Sequence, residues 1–259
     1  MKLKFLSLFC LSLVVFMSCE DSASEEFDDA NPDAVARLIE TVAVVSAQDP
    51  SENTTITVNY DANNRVSSIT DGVDSSIFVY SNNELSNISG QGDNLNIEEL
   101  YESPYNAFET GEVTQYDDNG NPTTITFYET EYDWSSNTDI ELEYTAEITY
   151  DANPNPYFYT MQAAGIIAVL DNVELNLSMN PTSAEVIQAR LLLPLNNIVS
   201  ISYKDENGEL VFNLAADYVY NSDNYPVSGT VTGTSYDEDF DGQPETETSI
   251  YSAQYTYRN

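Results

Sequence analysis

Asp237, Asp239 and Asp241 alternate along the chain and are followed by Gly242, so residues 237–242 spell D-x-D-x-D-G. Hard carboxylate oxygens at alternate positions, then a glycine for a sharp turn, are what a calcium loop uses at its positions one, three, five and six. Gln243 falls at position seven, where a backbone carbonyl serves, and Glu245 and Glu247 at positions nine and eleven. Position twelve is Thr248, where an EF-hand carries a bidentate Glu, so Glu245 or Glu247 has to substitute. Six carboxylates in residues 237–247 repel one another unless a cation sits among them. The segment reads either as a Ca²⁺-binding turn in a hairpin or as a solvated acidic turn, since Asp and Gly are also ordinary turn residues.

The other residues that bear on chemistry are few. No His is present, which excludes Ser-His-Asp or Cys-His catalysis and His-ligated zinc. Glu141, Glu143 and Glu147, and the pair Glu98 and Glu99, have the spacing of carboxylate pairs that run glycoside hydrolysis. Among 44 acids such pairs also arise as the wet face of a strand. Trp134 lies in the polar stretch Glu131-Tyr132-Asp133-Trp134-Ser135, where it and Tyr132 are candidates for an exposed aromatic platform for glycans. With seven Lys and Arg against those 44 acids the net charge is −37. That balance excludes phosphate-driven nucleic-acid binding and charge-driven docking on an anionic leaflet.

The elements that must position these residues begin with an export signal. Lys2 and Lys4 precede the apolar run 5–18, which is too short for a membrane span of about 20 residues but fits a secretory signal. Ser18-Cys19 at its end resembles the bacterial lipoprotein signal, in which the Cys becomes the lipidated first residue. Cleavage before Cys19 removes Lys2, Lys4 and Cys10, so the mature chain is still more acidic and has no disulfide. Residues 19–33 hold seven acids and one large apolar residue, Phe27, and read as a flexible, self-repelling tether. Residues 34–259 read as a single β-rich domain.

That domain repeats one grammar: an alternating strand ends in Tyr, a turn of Asp, Asn and Gly follows, and a second strand returns. It recurs at 56–70, 77–89, 113–128, 148–159, 201–214 and 218–232, with a longer version at 235–251. Asn119-Gly120 and Asn207-Gly208 supply the positive φ of tight hairpins. Pro122, Pro156, Pro226 and Pro244 stand where a returning strand opens. In residues 140–150, Ile140, Leu142, Tyr144, Ala146, Ile148 and Tyr150 fall on one face and Glu141, Glu143 and Glu147 on the other. The expected fold is all-β: an antiparallel meander forming a curved sheet, partly open barrel or sandwich. A helical insertion at about 157–195 interrupts it, with one helix in 161–172 and another opening at Pro181-Thr182 with Glu185 at capping-box spacing. These helices are expected to cover the concave face of the sheet.

Cys19-Glu20-Asp21, Tyr150-Asp151 through Asn155-Pro156-Tyr157, Leu191-Leu192-Leu193-Pro194 with Asn196-Asn197, and Asp239 through Glu245 carry a resemblance. The chain resembles a group of Bacteroidota surface lipoproteins with YD/RHS-like β-strand repeats and no established activity. The resemblance implies an all-β fold and an outer-membrane, lipid-anchored, surface-exposed address. The function expected is a non-enzymatic binding, adhesion or accessory module with a glycan or an envelope protein as partner. A carboxylate-dependent glycoside hydrolase and a purely structural lipoprotein are the alternatives.

Overall fold

A computed structural model describes residues 22–90, 111–133, 135–175, 190–238 and 244–258. Cys19 and the signal segment lie outside the described residues. Among the described residues, twelve strands form one sheet in the order β5-β4-β3-β2-β1-β12-β11-β10-β9-β8-β7-β6. Their ranges are β1 Leu38–Ser46, β2 Thr54–Tyr60, β3 Val66–Thr70, β4 Ser75–Ser81, β5 Glu84–Gly90 and β6 Glu112–Tyr116. The second half comprises β7 Pro122–Asp133, β8 Thr138–Pro154, β9 Asn196–Lys204, β10 Leu210–Tyr220, β11 Pro226–Glu238 and β12 Pro244–Arg258. Every pairing is antiparallel, so the expected meander is present. The meander is permuted in one respect: β1 pairs with β12, which leaves β5 and β6 as the two edges among the described strands.

Among the described residues three helices pack on one face: α1 Ala23–Ala30, α2 Phe158–Ala164 and α3 Ile166–Leu175. The expected single helix over 161–172 is two helices, divided at Gly165. This residue has φ +81°, which ends α2 in a left-handed cap. A Cβ there would stand 2.9 Å from the Leu85 Cβ of β5. The segment expected to open a second helix at Pro181 lies outside the described residues, which resume in helical conformation at Arg190 and Leu191.

The sheet curves around this layer. Twelve strands at about 4.8 Å spacing make a flat sheet about 53 Å wide. Gly165 touches edge strand β5, while Tyr116 of edge strand β6 donates its hydroxyl to the Leu191 carbonyl beside the helices. Helices of seven and ten residues, about 10 and 15 Å long, reach both edges only if the sheet is strongly bent. Its height is uneven. β3 has five residues, about 17 Å, whereas β12 has fifteen, about 50 Å.

The recurrent grammar has a common structure. In Asp61–Arg65, Asp117–Asn121, Asp205–Glu209 and Asn221–Tyr225 the first side chain accepts the N–H groups of the third and fifth residues through Oδ1. The fourth residue (Asn64, Gly120, Gly208 or Asn224) has positive φ, which closes the turn. The exception is Asn82-Asn83, both with positive φ, a two-residue type I′ hairpin between β4 and β5. Pro122, Pro226 and Pro244 open β7, β11 and β12 as expected. Pro156 does not open a strand. Asn155 accepts the Tyr157 N–H through its side chain and the Phe158 N–H through its carbonyl, which turns the chain into α2.

The flexible tether expected at 19–33 is replaced, over residues 23–30, by the ordered helix α1. Ser22 and Glu25 form a reciprocal capping box at its start. Phe27 is fully buried, stacked on Phe158 at 3.7 Å between ring centroids with Tyr159 edge-on. Glu26 pairs with Arg190 at 2.5 Å, and the Ala23 N–H donates to Asp171 at 2.6 Å. The domain therefore includes residues that composition alone assigns to a stalk.

Candidate binding cavity

Helix α2 and the residue before it present Tyr157, Thr160, Met161 and Ala164 at i, i+3, i+4 and i+7, a single stripe. The stripe faces β1–β4, whose inward positions include Ile39, Val42, Ile56, Val58 and Ile69. Two of the four stripe residues, Thr160 and Ala164, are small. The layers consequently stand apart around a cavity of about 500 Å³. Ile166, the first residue of α3, closes its wall.

Thr160, which lines the depth of this cavity, is committed. Thr160 Oγ1 accepts the Ile39 N–H at 2.9 Å, at the irregularity in β1 between Ile39 and Thr41. The Tyr60 hydroxyl takes the Ile39 carbonyl at 2.6 Å. This leaves aliphatic surface toward the space. The mouth differs: Thr70, Asp71, Asp74, Ser75 and Ser76 line it where β3 turns into β4, at the low side of the sheet. Asp71 Oδ1 accepts the Val73 and Asp74 N–H groups at 2.8 Å each, and these bonds hold its carboxyl below the usual carboxylate range.

Tyr157 borders the cavity on the side of β12. It is 41% exposed. Its phenol is nevertheless pushed well up, first by desolvation and then by the neighbouring Tyr255, Tyr218 and Tyr257. A side chain that is accessible yet crowded lies in a recess. Its ring meets Tyr255 edge-on at 6.4 Å.

The residues singled out from the sequence lie elsewhere. Asp237 and Glu245 face each other in the β11–β12 register, with Glu247 opposite Ser235, at the end of the sheet remote from the helices. Asp239, Asp241 and Gln243 lie outside the described residues. Among the described residues no three metal-ligating side chains converge. Trp134 also lies outside them. Tyr132 is exposed near the remote end of β7, paired with Asp139, across the sheet from the cavity. Glu141, Glu143 and Glu147 are exposed as a wet strand face, and Glu147 pairs with Lys204 at 2.6 Å. Glu98 and Glu99 are outside the described residues.

The cavity itself was missed in the sequence. Its only signal is the small-residue spacing of Thr160 and Ala164 on a helical stripe, which an ordinary packed helix also shows.

The chain matches no protein-family model and no curated protein. Similar solved structures include a porin-like protein from Bacteroides uniformis, at TM-score 0.35 and 12% identity, covering 85% of this chain and 96% of that one. A porin-like protein from Bacteroides vulgatus gives 0.36 and 12%, over 86% and 99%. A LolA superfamily protein from Nitrosomonas europaea gives 0.24 and 8%, over 91% and 92%. Likeness at this level carries no conclusion about function, and the architecture above rests on the strand pairings alone.

Proposed function

We propose that this protein is a non-enzymatic envelope lipoprotein, anchored through Cys19, that holds an aliphatic ligand in the cavity between α2 and β1–β4. The observation that carries the reading is the cavity. Its volume of about 500 Å³ lies within the range of small-molecule sites, roughly 300–1,000 Å³, and its walls are mainly Ile, Val, Met and Ala, with Thr160 and Tyr157 among them and five polar residues gathered at the mouth. Aliphatic walls favour a hydrocarbon chain over a glycan, which needs hydrogen-bonding partners throughout. The anchor is supported by the Ser18-Cys19 signal. Helix α1 begins four residues after Cys19 and packs on α2 and α3, which supports an orientation with the helical end of the domain toward the anchor. The calcium turn at 237–247 is retained as a stabilising element on the strength of its D-x-D-x-D-G spacing.

The hydrolase alternative needs one carboxyl held protonated near neutral pH. Among the described residues every carboxyl with a shifted pKa is shifted down: Glu25, Asp49, Asp61, Asp71, Asp133 and Asp205. These directions run against that reading.

The test uses protein lacking residues 1–18, with Cys19→Ser, titrated with an uncharged fluorescent aliphatic probe. Saturable binding at one site per chain is expected. Ala164→Phe and Ile56→Trp, which fill the cavity from opposite walls, should each weaken it by at least about tenfold with melting temperature retained. Probe binding that both variants leave unchanged would overturn the assignment.

A further inference from the structure

The two ends of the cavity differ in charge, and this bears on which aliphatic ligand it takes. Among the described residues no Lys or Arg lines it. The charged groups that do are Asp71 and Asp74, both at the mouth, accompanied by the hydroxyls of Thr70, Ser75 and Ser76. The β3–β4 turn fixes this arrangement. Thr70 Oγ1 accepts the Gly72 N–H at 3.0 Å and donates to the Asp74 carbonyl, while the Asp71 carboxylate caps the turn through Oδ1. Among the described residues the second oxygen of Asp71 takes no hydrogen bond, so acceptor capacity is left at the rim. A chain lying along the aliphatic walls must leave its head group at this rim, because the Thr160 hydroxyl in the depth is already engaged by the Ile39 N–H.

Resting on the proposed function, we infer that the cavity selects a single-chain amphiphile with a cationic, ammonium-type head and discriminates against one with a carboxylate head. An ammonium brings donors and no acceptor, the complement of two carboxylates and three hydroxyls. A carboxylate head brings only acceptors and meets two like charges at short range, where Coulomb repulsion is least screened by water. A neutral alcohol falls between the two.

The experiment is displacement of the uncharged aliphatic probe at neutral pH by a twelve-carbon primary amine, the matching alcohol and the matching carboxylate, each below its micelle concentration. The amine should compete at least about tenfold better than the carboxylate, with the alcohol between. In the Asp71→Asn/Asp74→Asn variant the amine-to-carboxylate ratio should fall to about threefold or less, while alcohol affinity is retained. Asn keeps the side-chain oxygen that caps the turn, so the fold of the mouth is preserved. A wild-type ratio near one overturns the inference and leaves the aliphatic cavity standing. A ratio that persists in the double variant also overturns it, because the preference then belongs to the net charge of the whole chain. If none of the three competes although the probe binds, the probe is elsewhere and the cavity assignment itself fails.

Discussion

Five of the nineteen tyrosines set a hydroxyl against the backbone at one end of the sheet. β2, β4, β8, β10 and β12 all run toward the helical end. On each, a Tyr hydroxyl reaches a backbone carbonyl near the start of the preceding strand: Tyr60 to Ile39, Tyr80 to Val66, Tyr150 to Pro122, Tyr218 to Ile198 and Tyr257 to Pro226. Four of these five strands shift register near that end, at Tyr60, Tyr80, Tyr150 and Tyr220, and β1 does so between Ile39 and Thr41. Such irregularities interrupt the ladder, and buried carbonyls left without a ladder partner must find another. Phe would fill the same volume and leave the carbonyl bare. Tyr80→Phe should therefore destabilise by about 1 kcal/mol, read by urea unfolding, because the carbonyl of Val66 loses its donor. At Gly165 the constraint is backbone and space together. Gly165→Ala should cost about 1–3 kcal/mol, since the residue must hold φ +81° with its Cβ against Leu85. A melting temperature unchanged from wild type would show that the α2–α3 junction relaxes.

At the scale of elements, α1 shows how an acidic segment can be part of a core. Glu25, Asp28 and Asp29 face outward and Glu26 pairs with the buried Arg190, while Ala23 and Phe27, four residues apart, face α2 and α3 and are fully buried. The helix is also tied to the sheet through buried amides. Asn31 bonds the carbonyls of Phe27 and Leu195, Asn196 donates to Asn31, and Asn121 donates to Asn196 while accepting from the Leu195 N–H. Phe27→Ala should destabilise the protein by about 3–5 kcal/mol and expose the segment before β1 to protease. Proteolysis confined to the wild-type pattern would show that α1 is not held by this contact. Ser22 and Glu25 have capping-box spacing, but the tether reading of 19–33 rested on the density of acids around one aromatic alone. What decided the matter was a hydrophobic slot between Phe158 and Tyr159, which no local property of residues 20–33 encodes.

For the molecule as a whole, the titrating groups set the limits of stability in opposite directions. Tyr60, Tyr80, Tyr218, Tyr220, Tyr225 and Tyr257 are all raised, mainly by desolvation, with Tyr80 pushed up to about 12. Raised phenols contribute stability that is complete below their unfolded value near 10 and is lost as pH climbs through the folded values. The turn carboxylates Asp61, Asp71, Asp205 and Asp133, the last held at about 2 by Ser136 and Ser135, are lowered. Their contribution is complete above about 4 and is lost as pH falls toward 2. The sheet should accordingly persist between about pH 4 and 10 and unfold cooperatively above it, with phenolate absorbance rising together with loss of the far-ultraviolet signal. Phenolate absorbance that rises near pH 10 with the sheet intact would show that the hydroxyl bonds do not couple to folding.

The amino-acid sequence by itself determined the strands, their alternation, the positive-φ turns and the all-β class, because these rest on local sterics and on period-two burial over neighbouring residues. It also determined the charge pattern and, through Ser18-Cys19, the expected anchor. Tertiary structure alone decided which strands meet at β1 and β12, how far the short helices cover the sheet, that α1 belongs to the core, and where a space remains. A cavity is a difference between two packed surfaces, Thr160 and Ala164 on one and Val42, Ile56 and Val58 on the other. Residues more than a hundred positions apart set its width, and neither stretch records the other.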